Sequence, residues 1–140
     1  MNCSEPQSVI VCLRKPAHGA EILQEAARAA ESHGAALQIL AVQPVDQSDE
    51  EKSRFVEDVY RLSREYDAEM HVIFADTPVL TAARYIRSCS GAILFTGMSS
   101  DDPGSFVVMI RQLLPELMIS MVSPEGITYR LYPHAVPVLR

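Results

Sequence analysis

Basic charge is the first thing this chain is short of. Twelve Lys and Arg stand against eighteen Asp and Glu, a net charge of −6. A protein that grips nucleic acid through its phosphates needs a basic face, so that function class is set aside. Long apolar runs are missing as well. None approaches the ~20 residues that cross a bilayer, so no membrane insertion is expected. The opening residues MNCSEPQS carry neither the basic segment nor the apolar core of a secretory signal. Cysteine is sparse and odd in number: Cys3, Cys12 and Cys89 are scattered along the chain. That pattern suits neither a disulfide framework nor a metal cage and fits a reducing cytoplasm. The histidines His18, His33, His71 and His134 lack a His-x-x-x-His spacing, so no metal site is expected and they read as surface or helix-end residues. No Gly-x-Ser-x-Gly elbow occurs, and no serine has a His and an acid nearby in a hydrolase arrangement. No catalytic residue is therefore assigned. Repeats and low-complexity segments are also absent.

What the chain does have is a strict alternation of short apolar runs with amphipathic segments. SVIVCL (Ser8 to Leu13) is a continuous β-branched run, as a strand buried on both faces should be. A helix follows from about Ala20 to His33, with Ile22, Ala26, Ala29 and Ala30 as a small-residue face and Gly34 as its stop. ALQILAV (Ala36 to Val42) is a second strand. Ser48 and Glu51 form a capping box for a helix whose stripe is Phe55, Val59, Leu62 and Tyr66. Its charged face reads as solvated, held by pairs such as Glu50 and Arg54, or as a docking surface. Met70 to Ala75 is a third strand. Asp76-Thr77-Pro78 opens a helix that bears Val79, Leu80, Ala83 and Ile86 and ends near Ser90-Gly91.

Ala92 to Leu114 is the stretch around which a site should be built. Ala92 to Thr96 is a buried strand. The loop Gly97 to Gly104 feeds a helix capped by Ser105 or Gly104, with Phe106, Val107, Ile110, Leu113 and Leu114 as apolar positions. Pro115 stops it, and Met118 to Val122 is a fifth strand. Met109, Met118 and Met121 are expected in the core. Residues 1–126 thus read as one α/β domain, and 127–140 as a tail with a short edge or dimer-contact strand at Ile127 to Tyr132. Pro133 and Pro137 bar anything longer.

This alternation predicts a three-layer fold: an open, five-stranded parallel sheet of order 3-2-1-4-5 with helices on both faces. In that order the first and fourth strands are neighbours that lead away in opposite directions. Their carboxyl ends flank the crevice where open α/β sheets hold ligands. The loops after Leu13 and after Gly97 would share it. Gly97, Ser99, Ser100, Gly104 and Ser105 offer a backbone and hydroxyl cradle for phosphate, while Asp101 and Asp102 oppose an anion. Arg14 and Lys15 either meet a phosphate there or pair with the two aspartates and close the pocket. Cys12 reads as core. Cys89, near a helix end, is the thiol with access to reagents.

VIVCLRKPAHGAEILQEAARAA, SDEEKSRFVEDVYRLSREYDAEM and LLPELMISMV together resemble the universal stress protein fold. That fold belongs with the adenine nucleotide alpha hydrolase-like group. More narrowly, these segments resemble the stress-protein-like cytoplasmic domain of the potassium-responsive sensor kinase KdpD, over about residues 8–123. The resemblance implies regulatory dimers, with adenine nucleotides bound by some members. Those members carry Gly-x-x-Gly, a longer spacer, then Gly-Ser or Gly-Thr. Here Gly97 and Gly104-Ser105 match, Ser100 replaces the second Gly, and the spacer shrinks to Asp101-Asp102-Pro103. The nucleoside-holding Asp after the first strand is replaced by Leu13 and Arg14. A Ser-x-Ser for cyclic di-AMP is replaced by Leu13-Arg14-Lys15. The expectation is a small, non-catalytic, cytoplasmic regulatory protein with a degenerate nucleotide site, linked to potassium or osmotic stress. It would homodimerise through Met118 to Val122 and serve a regulatory protein partner. The alternative is a sensor that binds ATP, AMP or cyclic di-AMP through Leu13, Arg14, Lys15, Gly97, Ser99, Ser100, Gly104 and Ser105.

Overall fold

A computed structural model describes residues 7–15, 18–98 and 105–133. The elements run β1 (Ser8–Cys12), α1 (Gly19–His33), β2 (Ala36–Pro44), α2 (Asp49–Glu65), β3 (Glu69–Ala75), α3 (Pro78–Ser88), β4 (Ala92–Gly97), α4 (Ser105–Leu113), β5 (Met118–Val122) and β6 (Thr128–Leu131). The sheet order is β3-β2-β1-β4-β5-β6. The first five strands are parallel in the expected order, and β6 adds itself antiparallel to β5.

Because side chains alternate across a strand, each apolar run feeds two cores. Val9, Val11, Ile39, Ala41 and Phe95 face α1 and α2, where they meet Ile22, Leu23, Ala26, Phe55 and Val59. Ile10, Cys12, Leu40, Val42, Leu94 and Ile119 face α3 and α4, against Ala82, Ala83, Ile86, Phe106, Val107 and Ile110. Small residues let α1 approach closely: a Cβ added at Gly97 would stand 3.0 Å from the Ile22 Cδ1 atom. The Ser48 capping box forms as expected, with both reciprocal hydrogen bonds present, and Arg54 pairs with Glu50 at 3.3 Å. At α3, Pro78 occupies the first turn, but the Thr77 side chain makes no capping bond.

Three expectations need correction. Met109 is not core; it is 46% exposed. The helix α4 turns Phe106, Val107 and Ile110 toward the sheet, which leaves Val108 and Met109 on the opposite arc. Met118 and Met121 are half-buried. Lastly, β5 is not the edge. The backbone reverses through Ser123 to Ile127, with Gly126 at φ 87° and its N–H donating to the Ser123 carbonyl. The returning β6 pairs Val122 with Thr128 and Ile119 with Leu131. The open edges of the described sheet are β3 and β6.

Arg111 holds that addition in place. Its guanidinium donates to the carbonyls of Leu114 and Pro115 beyond α4, and to those of Leu131 and Tyr132 at the end of β6, at 2.8–3.3 Å. Among the described residues no helix is long and apolar enough to cross a membrane.

Candidate functional site

The carboxyl ends of β1, β4 and β5 come together at one rim, and a crevice of about 170 Å³ opens there. Cys12 lies opposite Thr96 in the parallel register, and the Thr96 hydroxyl donates to the Cys12 carbonyl at 3.3 Å. This bond ties β1 to β4 at the point where the two chains diverge. Leu13 makes one more ladder bond, its N–H to the Leu40 carbonyl at 2.9 Å, and the backbone then leaves the sheet.

Leu13, Arg14 and Lys15 line one side of the crevice, followed by His18, Glu21 and Ile22 from the start of α1. Thr96, Gly97 and Met98 form the side given by β4. Val122, Ser123 and Pro124 close the third side. That third wall is held by the Met98 N–H, which donates to the Val122 carbonyl at 3.1 Å, and by the Ser123 hydroxyl, which accepts from the Ile127 N–H at 3.1 Å. The crevice lining therefore combines apolar side chains with two cations, Arg14 and Lys15, and one carboxylate, Glu21. Its volume is below the ~300 Å³ at which pockets for whole small molecules begin.

Arg14 reaches from the crevice to α4. Its guanidinium carbon lies 5.3 Å from the centroid of the Phe106 ring in the first turn of α4. That separation is within cation–π range. Its backbone carbonyl accepts from Gln43 Nε2 at 3.1 Å. Beneath, Cys12 is fully buried, and burial pushes its thiol up to about 12, against the opposing pull of the Arg14 charge. At neutral pH it stays a protonated core thiol with no nucleophilic character. Among the described residues no three His, Cys, Asp or Glu side chains gather in a way that would hold a metal ion.

Of the residues singled out from sequence, Leu13, Arg14, Lys15 and Gly97 lie together on this crevice. Ser99, Ser100 and Gly104 lie outside the described residues, as do Asp101 and Asp102, so the charge pairing expected of them does too. Ser105 is the first residue of α4, and its side chain is also outside what is described. Sequence reasoning missed the third wall. The predicted order already placed the fifth strand beside the fourth, so the carboxyl end of Met118 to Val122 was an available signal. Glu21 and Ile22 were also missed; the first turn of a helix that follows a site loop faces the same rim.

No protein-family model matches the chain, and no curated protein is significantly similar to it in sequence. Solved structures are similar in fold. The universal stress protein from Archaeoglobus fulgidus superposes with a TM-score of 0.65 at 15% identity, covering 84% of this chain and 92% of that one. The universal stress protein from the same organism in complex with dAMP gives 0.60 at 15% identity, over 85% and 98%. UspA from Lactobacillus plantarum gives 0.67 at 14% identity, over 87% and 99%. The chain has the three-layer α/β fold of universal stress proteins, extended by a sixth strand.

Proposed function

We propose that this chain is a non-catalytic binding and regulatory protein of the universal stress type, and that its crevice receives an adenine nucleotide. One observation carries the reading: Arg14 and Lys15 stand on the rim of a partly apolar crevice between β1 and β4, at the switch point of the sheet. The dAMP complex of a structural neighbour supports the choice of ligand. In this proposal the base lies against Leu13, Ile22, Met98 and Val122, and the phosphate meets the cationic rim. The resemblance to the KdpD domain extends the proposal to potassium or osmotic stress signalling in the cytoplasm, through a regulatory protein partner.

A second reading is favoured by the 170 Å³ volume. In it the crevice is closed by its own charges, and the chain acts through its surface alone. For either reading we propose a homodimer. With β5 covered, the pairing edge is β6, which carries the exposed Tyr129, with the exposed Ile127 just before it.

Thermal shifts with AMP, ATP and cyclic di-AMP, with and without magnesium, separate the two readings. Stabilisation should follow mass action and disappear in Arg14→Ala. No shift at millimolar concentration of any of the three overturns the nucleotide reading in favour of the closed crevice.

A further inference from the structure

We infer that Gln43, which does not line the crevice, is the positioning residue that fixes Arg14 and Lys15 on its rim. The inference rests on the crevice reading for its purpose but on β2 for its geometry. The last bond of the ladder between β1 and β2 is the one from the Leu13 N–H, so the Arg14 carbonyl lies beyond the paired register. A backbone carbonyl that leaves a sheet near its core needs an acceptor's complement from elsewhere. Gln43, one residue before the end of β2, supplies it. Its Nε2 donates to the Arg14 carbonyl at 3.1 Å and to the Val42 carbonyl at 3.3 Å.

Both of those partners are carbonyl oxygens, which only accept, so the orientation of the Gln43 amide is fixed by chemistry. Its oxygen must then receive a donor, and Gln47 Nε2 provides one at 2.9 Å. The direction of the relay is thus set at the Arg14 end. Its cost falls at the far end, where Gln47 Oε1 is buried without a hydrogen-bond partner. The held carbonyl is followed at once by Lys15, whose own carbonyl accepts from the His18 N–H at 3.2 Å. Arg14 is held at its backbone from β2 and touched at its guanidinium by Phe106 of α4. Removing the Gln43 bond loosens the backbone that carries Arg14 and Lys15.

The test uses the full chain and Gln43→Met, which keeps length and loses the amide. Amide hydrogen exchange without ligand should quicken at least tenfold at Leu13 and His18 and stay unchanged in β3. AMP, measured by calorimetry, should bind five- to tenfold more weakly to Gln43→Met. In an Arg14→Ala background, which keeps the backbone carbonyl that Gln43 holds, the same substitution should still quicken exchange at Leu13 and His18, and no such rise overturns the inference. Unchanged exchange at Leu13 and His18, or a rise spread evenly over the sheet, overturns the inference. If AMP fails to bind the unaltered protein while exchange still rises locally, the nucleotide reading falls and the positioning role stands. Should Gln43→Met not fold, Gln47→Met breaks the second link of the relay. It should then quicken exchange at the same two amides by a smaller factor; no local change overturns the inference.

Discussion

Replacing Arg111 with Ala should loosen the sixth strand without touching either core. The side chain donates to four carbonyls, two at part-buried positions (Leu114 and Leu131) and two at exposed ones (Pro115 and Tyr132). Water can replace the exposed pair at almost no cost. A hydrogen bond from a charged donor is worth ~1.5–3 kcal/mol, and partial exposure lowers each of the part-buried ones to about 1 kcal/mol. The expected loss is therefore about 2 kcal/mol, or roughly 6 °C in Tm for a domain of this size. Urea unfolding gives the first number and calorimetry the second. Hydrogen exchange should show the loosening at β6 before anywhere else, because both ends of that strand depend on the clamp and on the Ser123 turn. Arg111→Lys separates charge from geometry: one ammonium cannot fork to both α4 and β6, so it should recover less than half of the loss. A change below about 0.5 kcal/mol, or equal protection of β6 in the two proteins, would refute the reasoning.

Three other outcomes are expected. Ser48→Ala removes the acceptor for the Glu51 N–H and should cost about 1 kcal/mol in chemical unfolding. Hydrogen bonds from Ser48 hold the Glu51 carboxyl below its usual value, so its contribution to stability is complete above the unfolded carboxylate pKa and fades as pH falls through the lowered one. An acid titration of stability should show that fade, and Ser48→Ala should reduce it only in part, because the backbone N–H at position 48, the larger cause, remains. Cys12, its thiol pushed up to about 12 by burial, should alkylate only as fast as the protein unfolds, and half-buried Cys89 should react before it, as peptide mapping will show. Ile110→Ala, at a fully buried position on α4, should cost about 3.5 kcal/mol by urea unfolding through the cavity it leaves against the sheet.

The universal-stress-type fold was legible in the sequence because its causes are local and periodic. SVIVC, ALQILAV and MISMV are apolar on both parities, which only a two-faced sheet can satisfy. Ser48 with Glu51, and Gly34, mark helix ends through bonds made within a few residues. Alternation plus crossover handedness then narrowed the order of five strands to a few, and the one chosen among them is the one observed. The neighbouring ends of β1 and β4 followed, and with them Leu13, Arg14, Lys15 and Gly97 on one crevice.

What the tertiary structure alone decided are contacts between segments whose partners carry no pattern. Gln43 reaches Arg14 across a gap of 29 residues, and Arg111 reaches Leu131 across 20. A glutamine before a proline, or an arginine in the last turn of a helix, reads as an ordinary polar residue until the sheet brings its acceptor near. Ile127 to Tyr132 was readable as a short strand on an edge or against a partner; that it pairs antiparallel with β5 of its own chain was decided only when the Ser123 turn returned the backbone to the open row of groups on β5. Hydrophobic periodicity specifies which face of an element is buried, and short-range hydrogen bonding specifies where it ends. A side chain that satisfies a distant carbonyl obeys neither rule, since its energy depends on a distance that does not exist until the chain has folded.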